Sequence, residues 1–236
     1  GLREVEVYER PDVAVVPTGE ELVQDDPGPG EVVETNGLTI SRLAQRWGAS
    51  TRYEDVVTDD EDALADAIEA NVDADIVVTT GGSSVGERDL IPEVVGDLGE
   101  VFVHGVALRP GHPVALGEVA GTLVVMLPGY PVACIVNAVQ FLRPALQRAG
   151  GMPLEAPPSA RAKLEGKVRS EPGVRTFARV RLRDEGGETV AEPVSASGSG
   201  VLSSVALADG WVVVPEQTEG FDVGEEVAVE NWEGQL

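Results

Sequence analysis

The chain has 236 residues, enough for one or two domains with a real core, and 42% of them are hydrophobic. Its 41 Asp and Glu against 17 Lys and Arg leave a net charge of −24, which argues against nucleic acid and against anionic membrane surfaces, because phosphate contacts need clustered cations. No apolar run reaches the roughly 18 residues of a membrane span, the charged first residues do not read as a secretory signal, and the single Cys134 excludes an intrachain disulfide or a Cys-rich zinc site and suits a reducing cytoplasm.

Strand candidates lie at 12–16, 52–57, 75–79, 101–106 and 122–126. Runs such as Ile76-Val77-Val78 are nearly all β-branched, as strands buried on both faces should be. Asn36 is placed to cap a helix whose inner face is Ile40, Leu43, Ala44 and Trp47. Thr58-Asp59-Asp60-Glu61 has capping-box spacing ahead of Leu64, Ala67 and Ile68. Leu90, Ile91, Val94, Val95 and Leu98 stripe the next helix, and Pro131 sits at a first helical position before Val132, Ile135, Val136, Val139 and Leu142. The alternation predicts an α/β domain over residues 11–149, with a mostly parallel sheet and helices on both faces.

Residues 150–158 read as a linker, with Gly150-Gly151 and Pro157-Pro158 in it. Residues 159–236 predict a small all-β, barrel-like domain with strands at 161–169, 175–183, 188–194, 211–214 and 226–229. Arg179-Val180-Arg181-Leu182-Arg183 alternates as a half-exposed strand does, and Asp184-Glu185-Gly186-Gly187 reads as a hairpin turn. Trp47, Trp211 and Trp232 read as packing anchors, and Cys134 as a small buried hydrophobe.

Three loops follow predicted strands: Pro17-Thr18-Gly19-Glu20-Glu21-Leu22, Thr80-Gly81-Gly82-Ser83-Ser84-Val85-Gly86 and Leu127-Pro128-Gly129-Tyr130-Pro131. Ligands of open α/β sheets bind beyond the carboxyl ends of the strands. Glycines there admit a ligand close to the backbone, and amide groups ahead of a helix bind anions. The stretch 81–86 therefore reads as a phosphate cradle, or as a tight turn that needs glycine for its own sake. Arg109-Pro110-Gly111-His112-Pro113 sets a cation beside a rigid turn in a chain poor in cations. Glu21, Asp59, Asp60 and Asp89 flank predicted strand ends. Singly each reads as a surface acid; together they have the hard oxygen chemistry that Mg²⁺ takes, with a few carboxylates completed by substrate phosphates.

In this order, the Thr18–Leu22 run, the 81–86 glycine loop with Asp89 three residues on, Arg-Pro-Gly-x-Pro and Leu-Pro-Gly-x-Pro make a pattern that resembles the MoeA / gephyrin E-domain family. The likeness extends over nearly the whole chain, which resembles the C-terminal part of such proteins. It implies a three-layer, MogA-like molybdopterin-binding domain followed by the family's C-terminal β domain, including Ser197-Gly198-Ser199-Gly200 before Leu202 and Ser203. It also implies a molybdopterin molybdenumtransferase, which joins molybdate to adenylylated molybdopterin with Mg²⁺ and releases AMP. On that resemblance Glu21, Asp59 and Asp89 take catalytic positions, with Glu21 and Asp89 as metal ligands. Thr18, Gly19, Gly81, Gly82, Ser83, Ser84, Val85, Gly86, Arg109, Pro110, Gly111, His112, Pro128, Gly129 and Tyr130 take substrate-binding ones.

A homodimer, a MogA/MoaB-like adenylyltransferase as partner and a cytoplasmic setting follow from the same likeness. His112 stands where the family usually has Lys, and Tyr130 where it usually has Asn. Family members usually carry two domains before this point, so residues 1–10 read as the residual connection from them and the start at Gly1 as a processed chain or a fragment. Two rival readings are a MogA-like molybdopterin adenylyltransferase and a non-catalytic module that binds pterin or a partner. The β domain weighs against the first. The absent domains, His112 and Tyr130 support the second. The scattered acids read as a solvated surface from a salt-adapted source, since at 1 M salt the screening length is only about 3 Å.

Overall fold

A computed structural model describes residues 1–81, 90–194 and 203–233. The first half contains β1 (Asp12–Pro17), β2 (Leu22–Val23), β3 (Val32–Val33), α1 (Asn36–Arg46), β4 (Ser50–Tyr53), α2 (Glu61–Glu69), β5 (Ile76–Thr80), α3 (Leu90–Leu98), β6 (Glu100–His104), β7 (Leu108–Arg109), β8 (Ala115–Val119) and β9 (Thr122–Leu127). One long helical run follows, made of α4 (Pro131–Asn137), a π turn (Ala138–Leu142) and α5 (Arg143–Ala149). The main sheet has the order β4-β1-β5-β9-β8-β6. Strands β4, β1, β5 and β9 are parallel neighbours, β8 is antiparallel to β9, and β6 is antiparallel to β8.

Alternation along the central strands divides the core. Val13 and Val15, with Ile76 and Val78, face α1 and the α4–α5 run. Ala14 and Val16, with Val77, face α2 and α3. Residues of opposite parity leave opposite faces of a pleated strand, so a run of β-branched residues buries both. The inner stripes are as predicted: Ile40, Ala44 and Trp47 of the first helix, and Leu64 and Ile68 of the second, are at most 1% exposed.

Local signals needed correction. Asn36 does not cap α1: the boundary residue is Thr35, which makes no side-chain cap. Glu34 does the work, its Oε1 accepting from the Gly37 amide at 2.6 Å and its Oε2 from the Leu38 amide at 3.3 Å. The cap of α2 is Asp60, which accepts from the Ala63 amide at 3.0 Å, and not Thr58. The strand expected at 52–57 is Ser50–Tyr53, and that at 101–106 is Glu100–His104. Strand β8 was not predicted. Its Gly117 masks the pattern but is required, since a Cβ there would lie 2.6 Å from the Glu100 carbonyl oxygen and 2.8 Å from Val95.

The second half has β10 (Ser159–Leu164), β11 (Val168–Arg169), β12 (Arg175–Glu185), β13 (Glu188–Pro193), the short α6 (Ser203–Ala206), β14 (Gly210–Val214), β15 (Gly220–Phe221) and β16 (Glu226–Glu230). The expected strand at 161–169 is thus two strands. Strands β13-β10-β16-β14-β12 follow one another, and β12 pairs back onto β13, closing a small barrel. The β12–β13 hairpin turns on Gly186 and Gly187, with φ of 65° and 95°, the left-handed pair a two-residue turn of this type needs.

The barrel is joined to the α/β half by hydrogen bonds and by apolar packing. Strand β7 extends its sheet, pairing in parallel with β12 through Leu108 and Arg109. Trp211 stacks on Trp232 at 4.7 Å and meets Phe177 edge-on at 5.2 Å, and all three belong to the core cluster that includes α1 and α4.

Candidate functional site

Strands β1, β5 and β9 are neighbours in one sheet, so the turns that leave them are neighbours too. The Thr18 amide donates to the Thr80 carbonyl at 3.2 Å, and the Gly81 amide to the Leu127 carbonyl at 3.2 Å. Gly81 has φ of +138°, and a Cβ on it would lie 2.0 Å from the Thr18 carbonyl oxygen. The glycine is there because two backbones touch. Gly129 in turn approaches the Gly81 Cα, which a Cβ would reach at 3.4 Å. The buried hydroxyls of Thr18 and Thr80 have no hydrogen-bond partner among the described residues.

A cavity of about 280 Å³ opens over these turns, lined among others by Glu21, Glu34, Asn36, Gly81, Gly129 and Tyr130. Asn36 Nδ2 donates to the Gly129 carbonyl at 2.6 Å, tying the start of α1 to the turn after β9. Glu34 is 4% exposed. Besides capping α1, it accepts a short hydrogen bond from the Tyr53 hydroxyl. Burial, and then this bond to a carboxylate, push the Tyr53 phenol up to about 12. Sequence reasoning missed Glu34; its signal is an acid three residues before the glycine that opens the helix, Gly37. That glycine is needed, since a Cβ there would lie 2.8 Å from both Pro17 and Tyr53.

Acids gather at one side. Asp59 is half-buried, and burial raises its carboxyl above the usual value. A hydrogen bond from the Glu20 backbone opposes the rise, while the nearby Glu21 and Glu20 carboxylates add to it. Glu21 folds back over Gly19, whose absent Cβ would lie 2.9 Å from Glu21 Oε2. Among the described residues no group of three or more His, Cys, Asp or Glu closes a metal site by itself. Asp89, and with it Gly82, Ser83, Ser84, Val85 and Gly86, lies outside the described residues, as does the stretch 197–202.

The fourth predicted loop goes elsewhere. Arg109 does not reach the glycine turns. It lines a second cavity, about 620 Å³, between the α/β half and the barrel, and its guanidinium pairs with Glu171 at 2.7 Å. Both partners are more than half exposed, so this pair adds little to stability. Pro110, Gly111, His112 and Pro128 line the same cavity. Facing them are Lys167, Arg169 and Arg179 of the barrel. Burial holds the Arg179 guanidinium below its usual range. Lys167 pairs with Asp222 at 2.5 Å.

Four of the chain's 17 lysines and arginines therefore line this one cavity. Sequence reasoning missed the barrel's three. A weak signal was available, since one of the only two lysines is among them. Tyr130, 41% exposed, lines both cavities and stands between them. Fully buried Asn137 braces the Arg109 loop, its Nδ2 donating to the Gly111 carbonyl at 3.0 Å. A Cβ on Gly111 would lie 2.4 Å from that nitrogen.

Arg52, on β4, bridges Asp12 and Asp73 on the strand side of the sheet edge and takes no part in either cavity. His104 lies exposed on β6, away from both linings. Cys134 is buried in α4, where desolvation pushes its thiol up, so it has no thiolate chemistry to offer.

Known proteins share this sequence and fold. Residues 14–148 match the family described as "Probable molybdopterin binding domain", and residues 161–232 match the MoeA C-terminal region, domain IV. The chain is 33% identical over 241 aligned positions to molybdopterin molybdenumtransferase 2 of Mycobacterium tuberculosis, covering 97% of this chain and 58% of that protein. It is also 33% identical over 234 positions to the molybdopterin molybdenumtransferase of Staphylococcus aureus, covering 97% and 56%. The crystal structure of a molybdopterin biosynthesis MoeA protein from Pyrococcus horikoshii superposes with a TM-score of 0.83 at 36% identity, over 95% of this chain and 55% of that one. The chain thus spans somewhat more than half the length of the relatives it matches. With both family regions matched in this order and the fold shared with a MoeA structure at 36% identity, the chain belongs to the MoeA family.

Proposed function

We propose that this chain carries the catalytic cleft of a molybdenum insertase, which joins molybdate to adenylylated molybdopterin and releases AMP. The supporting observation is the pair of cavities that share Tyr130. One is rich in cations and suits a small oxyanion. The other opens over glycine turns and suits a phosphate ester and a flat ring. Two anionic reactants can thus be held side by side in a chain of net charge −24.

The residues divide the work. Arg109, Lys167, Arg169 and Arg179 offset the charge of molybdate and hold it still. The turns at Gly81 and Gly129 present backbone to the ester in the smaller cavity, and Thr18 and Gly19 pack behind them. Tyr130 offers an aromatic face to the pterin. Mg²⁺ suits the acids at the other side: Glu21 and Asp59 are hard oxygen donors, and no cation offsets the crowding at Asp59 among the described residues. This ion takes one or two carboxylates plus substrate phosphates, so a pair of acids suffices. When bound, it neutralises phosphate charge as AMP leaves. Asp89 and the glycine loop at 82–86 complete this set by resemblance.

On the same reading the protein works as a homodimer in the cytoplasm and receives its substrate from a MogA/MoaB-like adenylyltransferase. Among the described residues no helix is long and apolar enough to cross a membrane. We divide the chain into a connection at 1–10, an α/β domain at 11–149, a linker at 150–158 and a β domain at 159–236. The acidic surface is read as salt adaptation. Its melting temperature should rise as KCl is added, because the screening length falls from about 10 Å at 0.1 M to about 3 Å at 1 M; a salt-independent melt removes that part.

The deciding assay supplies adenylylated molybdopterin, Mg²⁺ and molybdate to the chain, alone and joined to the remaining sequence that its relatives carry. AMP release that requires molybdate, with reconstitution of an apo-molybdoenzyme, is the expected result. ATP-dependent adenylylation of molybdopterin instead would identify an adenylyltransferase. Pterin binding without AMP release in either form would identify a binding module. The barrel's three cations in the cleft favour the insertase over an adenylyltransferase built on the α/β domain alone.

A further inference from the structure

The interdomain cavity holds one group whose charge is not fixed. His112 lies on its wall with Arg109, Lys167, Arg169 and Arg179. His112 Nδ1 is 2.8 Å from the Val106 carbonyl oxygen. A carbonyl oxygen accepts only, so Nδ1 carries the proton in the neutral ring and Nε2 carries a lone pair. The ring sits in a loop that closes on itself. The Val106 amide donates to the His112 carbonyl at 2.9 Å, the Gly105 amide to the Val114 carbonyl at 2.8 Å, and Asn137 Nδ2 to the Gly111 carbonyl at 3.0 Å. Gly105 packs beside the ring; its φ is +82°, and a Cβ there would lie 3.5 Å from His112 Cε1.

An oxyanion in this cavity meets one of two rings. The neutral ring opposes a lone pair at Nε2 to the anion's own lone pairs. The protonated ring offers an N–H and a full positive charge. We propose that His112 sets the oxyanion affinity of the interdomain cavity through its own protonation: a dianion binds with uptake of one proton at Nε2, and binds more weakly as pH rises. The charged groups around it are Arg109 from its own loop, Lys167 and Arg169 from the turn and strand β11, and Arg179 from β12. Two carboxylates stand behind them, Glu171 paired with Arg109 and Asp222 paired with Lys167. Lysine and arginine keep their charge and carboxylates stay ionised across the neutral range, whereas a histidine changes charge between about pH 5 and pH 8. A bound dianion attracts the positively charged ring and repels the lone pair of the neutral one. This inference rests on the reading of the cavity as an oxyanion site.

The test uses sulfate, which stays a dianion throughout, titrated calorimetrically into the protein at fixed ionic strength. Each titration is run in two buffers of different ionisation enthalpy, so that proton uptake is measured directly. Affinity should fall about tenfold between about pH 5.5 and about pH 8.5, the change expected when binding alters one protonation equilibrium by about one unit. Proton uptake should appear in the middle of that range. His112→Lys should bind with no pH dependence and no proton uptake. His112→Gln should show the weak, high-pH affinity at every pH. Equal affinity across the range without proton uptake overturns the role of His112 and leaves the oxyanion cavity standing, as would a wild-type pH profile retained by His112→Gln. Absence of sulfate binding at every pH overturns both.

Discussion

The two cavities meet at Tyr130 but are built by different means. The smaller one is made of backbone: turns after β1, β5 and β9 lie beside each other because those strands are neighbours, and glycines allow them to touch. The larger one is made of side chains brought from two domains, with Arg109 on one wall and Lys167, Arg169 and Arg179 on the other. At the glycine contacts the first responds most to an added atom, and along its cationic walls the second responds most to a lost charge. A comparison of substitutions in each region should separate them.

The largest effect is expected at Gly81. A methyl group there would overlap the Thr18 carbonyl, at 2.0 Å, and would sit on a residue with φ of +138°. Strain of this kind together with overpacking amounts to about 3 kcal/mol. Gly81→Ala should lower the denaturant midpoint accordingly and disrupt the smaller cavity. Sulfate binding to the larger one should persist in the fraction that stays folded. Unchanged stability would mean that the turns after β1 and β5 separate easily, and the view of this cavity as rigid backbone would fall.

The same difference explains what could be read in advance. Strands β1, β5 and β9 announce themselves as β-branched runs, and their carboxyl ends carry Gly and Pro at short range, so the neighbouring turns at their ends were legible. Glu34 was not, because an acid ahead of a helix has many ordinary uses. Asn36 misled, since its side chain serves the Gly129 turn 93 residues away instead of its own helix. The larger cavity depends on how β12 docks against β7, a contact between residues 108–109 and 175–176. No local pattern reports such a pairing. For that reason the sequence marks Arg109 as a cation at a rigid turn but does not report that it faces the barrel. The roles of Lys167, Arg169 and Arg179 had no sequence signal beyond the scarcity of cations.

The second expected effect belongs to that larger cavity. Arg179 projects from β12 into its lining, and burial already weighs against its charge. A hydrogen bond to a charged group contributes about 1.5–3 kcal/mol, so Arg179→Ala should weaken sulfate binding about tenfold or more. In the insertase assay the same loss should appear in the KM for molybdate. Pterin binding at the glycine turns should be little changed. If both ligands weakened equally, the two cavities would be one site, and the division at Tyr130 would be wrong.

The smallest effect, at Asp59, has the most informative sign. Its carboxyl is raised above the usual value, first by burial and then by Glu21 and Glu20. A raised value means that the folded state binds the proton more tightly than the unfolded state does. The stabilising contribution is then fully present below about pH 4, the unfolded value, and is lost as pH rises through the folded value. At neutral pH the ionised group is a net cost to the fold. Asp59→Asn keeps the shape, keeps an oxygen for the Glu20 amide and removes the charge. It should stabilise the fold slightly at neutral pH, by less than about 0.5 kcal/mol because solvent still screens the half-buried group, and the melting temperature should rise accordingly. Mg²⁺-dependent AMP release should fall at the same time. A residue that costs stability and is needed for turnover is one placed for chemistry. A variant that loses stability and keeps its turnover would instead make Asp59 a structural anchor for the turn after β1.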